Sequence, residues 1–252
     1  MMTTSTQYKN VTNSQLYDQW ASTYDTDGNV LQATDDYQLA TRLPSFIKDL
    51  PPPENGLPLR ILDLGCGTGR NTLAFLSLNW PTPPGIHGWD SSAAMLALAR
   101  SKCPAATFSE VDLSDPAAIP SSALGSFDAV ISTLVLEHLP ASTFFTTLAS
   151  VLKPGGKALV TNMHPDMGAR TGAGFKLESG ERCKGVSFSH TVAEATEAAE
   201  AAGLEVVGEV EEKEVDERMV ESWKGRGKVA ERARKWVGVK IWFGMVVRKM
   251  DV

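Results

Sequence analysis

The sequence predicts an α/β protein on a mostly parallel sheet, and three observations carry that prediction. Short apolar runs alternate with helix-period segments from Arg60 to Asn162, the pattern of strands joined by helices. Glycines at alternate positions, Gly65, Gly67 and Gly69, follow the first run. An acidic residue, Asp90, ends the second.

Each element follows from its residues. Arg60–Leu64 reads as a buried strand, and Asn71–Leu78 as the helix after the glycines. Ile86–Asp90 is a second strand, followed by a helix over Ser91–Ser101. Thr107–Val111 and Phe127–Thr133 are the third and fourth strands. Phe144, Phe145, Leu148 and Leu152 share one helical face. Lys153-Pro154-Gly155-Gly156 stops that helix, and Lys157–Asn162 is the fifth strand.

Beyond Pro165 the chain has no proline. Gly172–Ser189 holds a Ser-Gly turn signal and reads as a hairpin. His190–Ala202 is an alanine-rich helix ended by Gly203, and Leu204–Val210 is a strand. Acidic and then basic helical stretches precede the last strand, Val237–Val247. Pro51 to Pro58 read as a linker.

Composition excludes several classes. Among 252 residues, 24 are Lys or Arg and 30 are Asp or Glu, giving a net charge of −6. That balance argues against nucleic acid as a partner. Cys66, Cys103 and Cys183 are odd in number and widely spaced, against a disulfide framework or a zinc site. The N-terminus has no apolar core of a secretory signal, and no apolar run nears the ~20 residues that cross a bilayer. No membrane association and a cytoplasmic location are expected.

The chemistry concentrates in Asp63-Leu64-Gly65-Cys66-Gly67-Thr68-Gly69, where a strand turns into a helix. Glycine permits the tight turn and a close backbone approach, and a helix start offers free N–H donors. A nucleotide-type ligand suits that geometry. A dinucleotide fingerprint wants a third glycine where Arg70 stands, and Asp63 beside the loop would repel a pyrophosphate. Asp90 suits the two hydroxyls of an adenosine ribose; its other reading is a helix cap, which Ser91 or Ser92 could supply instead.

ILDLGCGTGRNT, HGWDSSAAMLALAR, EVDLSD, FDAVISTLVLEHLP and VLKPGGKALVTNMH, in this order, resemble the motifs of class I S-adenosylmethionine-dependent methyltransferases over Leu59–His164. YDQWASTYDTDGN is similar to a segment ahead of the core in small-molecule members, and TGAGFKLESGERCKGVSFSHT to an insert of fungal-type members. The resemblance implies a Rossmann-like seven-stranded, mostly parallel sheet with helices on both faces and an antiparallel edge. It implies a single domain over 1–252, with a helical lid at 1–50, a cofactor-binding core at 59–164, and an acceptor-side insert and C-terminal strands at 165–252.

The implied activity is methyl transfer from S-adenosyl-L-methionine to a small organic acceptor, a secondary metabolite among the candidates. An RNA or protein methyltransferase, or a cofactor-binding protein that transfers nothing, are the alternatives. Gly65, Cys66, Gly67 and Gly69 would lie against the cofactor, with Asp63 toward its ammonium group. Asp90 and Ser91 would meet the ribose, Asp112 and Leu113 the adenine, and Thr133 and Leu134 the methionine side. Trp89 would stack on the adenine edge or simply pack.

His138 and His164 follow the fourth and fifth strands, at the carboxyl edge where open parallel sheets bind ligands. Either is a candidate base if the acceptor arrives protonated, and each also reads as a structural loop residue. Tyr17, Trp20 and Tyr24 are spaced for one helical face. The resemblance folds that helix over the cofactor, with Tyr24 toward it and Tyr17, Trp20, His164 and His190 toward the acceptor. His190 also reads as structural. No cluster has metal-ligand spacing. The basic run from Lys224 to Lys235 reads as a solvated helix face rather than an RNA patch.

Overall fold

Phe127–Thr133 is buried along its whole length, and the rest of the molecule is arranged around it. The computed structural model describes residues 8–52, 56–172, 174–176 and 180–251. Part of the expected linker (53–55) and of the hairpin turn (177–179) lies outside the described residues.

The elements in chain order begin with β1 (Tyr8–Asn10), α1 (Asn13–Trp20) and α2 (Val30–Lys48). The core follows: β2 (Arg60–Leu64), α3 (Arg70–Leu76), β3 (Gly85–Asp90), α4 (Ala93–Lys102), β4 (Thr107–Glu110), β5 (Phe127–Thr133), α5 (Ala141–Val151) and β6 (Leu152–Met163). Then come α6 (Pro165–Gly168), β7 (Gly174–Lys176), β8 (Arg182–Lys184), α7 (Val192–Ala201), β9 (Leu204–Glu214), α8 (Glu217–Ser222), α9 (Lys228–Ala233) and β10 (Lys240–Lys249).

The main sheet has seven strands in the order β4-β3-β2-β5-β6-β10-β9. From β4 to β6 all pairs are parallel; β10 pairs antiparallel with both β6 and β9. Alternation along β2 shows how its two faces are covered. Ile61 packs with Leu39, Leu43 and Phe46 of α2 and Phe75 of α3. Leu62 joins Phe144 and Phe145 of α5 and Ala195 of α7. A further cluster beyond the sheet gathers Leu31, Leu134, Trp223 and Trp236, docking α8 and α9 against the start of α2.

Most expected elements form with ends shifted by one to three residues, the last strand running over Lys240–Lys249, and three larger differences stand out. Strand β6 starts at Leu152, so Lys153–Gly156 run inside a strand, with a register shift against β5 near Phe127. Strand β9 runs to Glu214 and takes up the start of the acidic stretch expected to be helical, its exposed edge tolerating the charges. The lid is not helical throughout. Its β1 pairs in parallel with β8, whose antiparallel partner is β7, forming a small second sheet.

Candidate functional site: two chambers at the carboxyl edge of the sheet

The turn after β2 is built by its glycines. Gly65, Gly67 and Gly69 all have positive φ, at 76°, 52° and 77°. At Gly65 a Cβ would sit 2.3 Å from Val135, so its space is already taken. At Gly67 a Cβ would meet nothing within 4 Å, because that side of the loop faces an open cavity. The N–H groups of Gly65 and Cys66 donate to the Trp89 carbonyl at 2.8 and 2.9 Å. The Gly67 N–H donates to Asp90 Oδ2 at 2.8 Å. The other carboxylate oxygen accepts from the Ser92 N–H at 2.9 Å, while Ser92 itself caps α4 through the Met95 N–H. Asp90 therefore keeps roughly two of a carboxylate's ~4 acceptor positions. Burial raises its pKa, partly offset by the N–H donors of Ser92 and Gly67.

This loop forms one wall of a cavity of about 480 Å³, within the size range of small-ligand sites. Gly65, Gly67, Asp90, Ser91, Asp112, Leu113, Thr133, Leu134, Tyr17, Tyr24 and His138 all line it. Asp112 Oδ1 accepts from the Ser114 N–H at 2.9 Å, which closes the far turn. Thr133 Oγ1 accepts from Asn71 at 2.6 Å. Leu134 is the one non-glycine with positive φ among the described residues, at 58°. Such a conformation costs ~1–3 kcal/mol and is characteristic of ligand-contacting positions.

The N-terminal segment is fastened over this cavity. Ser14 Oγ donates to the Ser91 carbonyl at 2.9 Å, and Asp18 accepts from Ser92 Oγ at 2.6 Å. Asp25 accepts from Thr68 Oγ1 and from Lys102 at 2.8 and 2.7 Å. Tyr17, Trp20 and Tyr24 form one aromatic cluster, although α1 ends at Trp20 and Tyr24 belongs to the turns beyond it.

A second chamber of about 420 Å³ shares Tyr17, Tyr24 and Leu134 as walls with the first. Trp20, Glu137, Met163, Met167, Arg232 and Trp236 are among its other walls. Glu137, Arg232 and Lys235, which the sequence reading did not place in the site, thus reach it. The only available signal was position: Glu137 lies beside His138 after β5.

The remaining expected residues lie elsewhere. Asp63 is buried, accepts from Thr72 Oγ1 at 2.6 Å and is not on either chamber wall; burial raises its pKa to about 6. Cys66 and Gly69 face inward, Gly69 against Ala99. Trp89 packs edge-on to Phe127 at 5.9 Å, so packing decides its role. Arg70, where a dinucleotide site would have glycine, bonds Asp35 at 3.0 Å and also Asp36, both on α2. His164 caps α6, with Nδ1 accepting from the Asp166 N–H at 3.1 Å; its Nε2 lies 2.6 Å from Glu212. His164 lines neither chamber, nor does His190, whose Nε2 bonds the Leu139 carbonyl at 2.8 Å. Their place after β6 and before α7 positions them to stitch loops.

This sheet order, with a glycine turn after its first core strand and an acid ending the next, defines a Rossmann-like methyltransferase fold, and the chain belongs to the class I S-adenosylmethionine-dependent methyltransferases. Residues 61–156 match the family described as a methyltransferase domain. An uncharacterised methyltransferase of Emericella nidulans is 40% identical over 92% of this chain and 88% of its own length. The trans-aconitate 2-methyltransferase of Escherichia coli is 42% identical, but over 38% of this chain and 36% of its own. An S-adenosylmethionine-dependent methyltransferase of Mesorhizobium loti superposes with a TM-score of 0.57 at 22% identity, over 82% of this chain and 96% of that one. The enzyme therefore uses S-adenosyl-L-methionine. The open side of Gly67 and the spare acceptor positions of Asp90 fit that cofactor.

Proposed function

We propose that the enzyme methylates a small organic acceptor, with the cofactor in the first chamber and the acceptor in the second. The observation that supports this reading is the shared wall of Tyr17, Tyr24 and Leu134, which puts a second cavity directly beside the first. Asp90 would hold the ribose hydroxyls, Asp112 and Leu113 the adenine, and Thr133 and Leu134 the methionine end. The bound cofactor supplies an activated methyl on a sulfonium. The chain's own work is positioning and exclusion of water, and positioning alone lowers barriers by ~7–11 kcal/mol in favourable cases.

The covering segments support a small acceptor over a polymer. The lid, strands β7 and β8, and α9 with the turn after it all contribute walls to the second chamber. Arg232 and Lys235 of the basic run belong to those walls, which gives part of that run a purpose other than nucleic-acid contact. A single domain in the cytoplasm fits the free cysteines, all three of them buried.

The test supplies trideuteromethyl-labelled cofactor to extracts with and without the enzyme. Label is expected in a small-molecule fraction that depends on the enzyme. Label confined to RNA or protein would refute the small-acceptor reading.

A further inference from the structure

The helical turn Leu136–His138 gives consecutive side chains to different chambers: His138 lines the first and Glu137 the second. Glu137 has a side chain only 9% exposed, and its carboxyl group has no hydrogen-bond partner among the described residues; the nearest group of opposite potential charge is His138 Nε2, at 3.7 Å. The carboxyl of Glu137 thus opens on the chamber and not onto a protein partner, and Asp27 Oδ1 on the same chamber is buried without a partner among the described residues; carboxyls so placed call for a reason.

The two histidines put forward as bases are both committed. The Val186 carbonyl, 3.2 Å from His138 Nδ1, can only accept, so Nδ1 carries the hydrogen. His138 Nε2 then accepts from the Tyr17 hydroxyl at 2.7 Å. Burial holds this ring down at about 4, so it stays neutral. His164 is occupied by Glu212 and by capping α6, away from both chambers.

We propose that Glu137 receives the proton of an attacking hydroxyl or amine on an acceptor held in the second chamber. This rests on the two-chamber reading above. The acceptor's lone pair forms the bond to the methyl carbon, the carbon–sulfur bond breaks with its pair left on sulfur, and the acceptor's proton passes to a Glu137 carboxylate oxygen and then to solvent. The other titratable groups on this chamber are Tyr17, Tyr24, Asp27, Arg182, Arg232 and Lys235. Burial keeps both tyrosines protonated and raises Asp27, whose Oδ1 has no hydrogen-bond partner among the described residues but whose Oδ2 accepts from the Trp20 indole N–H at 3.0 Å and which the Arg232 charge helps to keep ionised. Glu137, three residues after Leu134, is the carboxyl on this chamber with a hydrogen bond to neither oxygen among the described residues, whereas Asp27, three residues after Tyr24, keeps the one from Trp20. The substrate class follows: a protic nucleophile. A carboxylate arrives with no proton to give, and an ionised Glu137 would repel it.

Wild type and Glu137→Gln are compared in three measurements. Calorimetry is expected to give equal S-adenosylmethionine affinity, and melting curves equal or higher stability for the variant. Infrared spectra of the cofactor-free proteins, wild type minus variant, are expected to show a protonated-carboxyl band at pH 6 that is gone by pH 9, the bands of Asp27, Asp63 and Asp90 being common to both and cancelling. Transfer is then assayed against a panel of small hydroxy acids and amino acids, with trans-aconitate as the carboxylate probe. Expected is transfer to a hydroxyl or amine probe, rising with pH toward 8 and reduced about 100-fold or more in the variant. A Glu137 still protonated at pH 9, failure of every hydroxyl and amine probe, a variant as active as wild type, or transfer to trans-aconitate that survives the substitution would overturn the proposal. Failure of wild type to bind S-adenosylmethionine would instead overturn the two-chamber reading.

Discussion

The Gly67 N–H donates to the carboxylate of Asp90 at 2.8 Å, across the gap between the turn after β2 and the end of β3. One bond thus joins two parts of the wall of the first chamber. It holds the loop backbone in place and orients the acid that has acceptor positions to spare. Removing Asp90 takes away the bond that orders the loop and, on the proposed assignment, the bonds to the ribose.

Asp90→Ala is therefore expected to weaken S-adenosylmethionine binding about 100-fold or more, since two charge-assisted hydrogen bonds are worth ~1.5–3 kcal/mol each. Asp90→Asn, which keeps an acceptor oxygen but loses the charge, should fall in between. Calorimetry decides, and unchanged affinity in the alanine variant would remove Asp90 from the ribose site.

The glycines of the same turn should separate by substitution. Gly65→Ala drives a Cβ to within 2.3 Å of Val135, so misfolding is expected. Gly67→Ala meets no protein atom within 4 Å. It should fold at a cost of ~1–2 kcal/mol for its left-handed backbone and yet bind cofactor poorly, because the new methyl enters the cleft. Melting curves beside calorimetry distinguish the two. A Gly67→Ala protein with full affinity would place the cofactor elsewhere.

His164→Ala tests whether that histidine is structural. It removes the α6 cap and the contact with Glu212, and a lost cap costs ~1 kcal/mol. The melting temperature should drop by several degrees, with cofactor affinity unchanged and turnover per folded molecule near wild type. A large loss of turnover in a fully stable variant would return His164 to the chemistry.

The core was legible because local pattern and tertiary environment agree there. Apolar runs such as Phe127–Thr133 are buried on both faces, and the turn glycines need the backbone angles only glycine takes cheaply. The pairing of β1 with β8 was not legible: three residues carry no periodicity, and the partner lies far along the chain. His164 follows a strand, the right position for a site, while its hydrogen bonds run to Glu212 on an edge strand, which position alone does not reveal. Glu137 was hidden for the opposite reason. A charged residue in a loop reads as solvated, whereas Glu137 is buried on a chamber to which the lid and α9, distant in sequence, also give walls.

That burial gives the last prediction, in stability against pH. Burial raises the Glu137 carboxyl in the folded protein to about 8 from a model-peptide value of 4.5. Between those values the unfolded chain has released this proton while the folded protein still holds it. Unfolding then releases a proton, and stability contributed by this group falls as pH rises, at up to ~1.4 kcal/mol per pH unit. The loss is complete above pH 8, where the folded carboxyl is ionised without a hydrogen-bond partner. Glu137→Gln keeps the shape and cannot ionise, so it escapes this loss. Wild type and variant should melt at similar temperatures near pH 4.5, and the variant should melt progressively higher as pH rises to 8, with the gap constant beyond. Other groups titrate equally in both proteins and cancel in the difference. A gap that stays flat from pH 4.5 to 8 would mean that Glu137 ionises normally in the folded enzyme, and that water or a neighbour reaches its carboxylate after all.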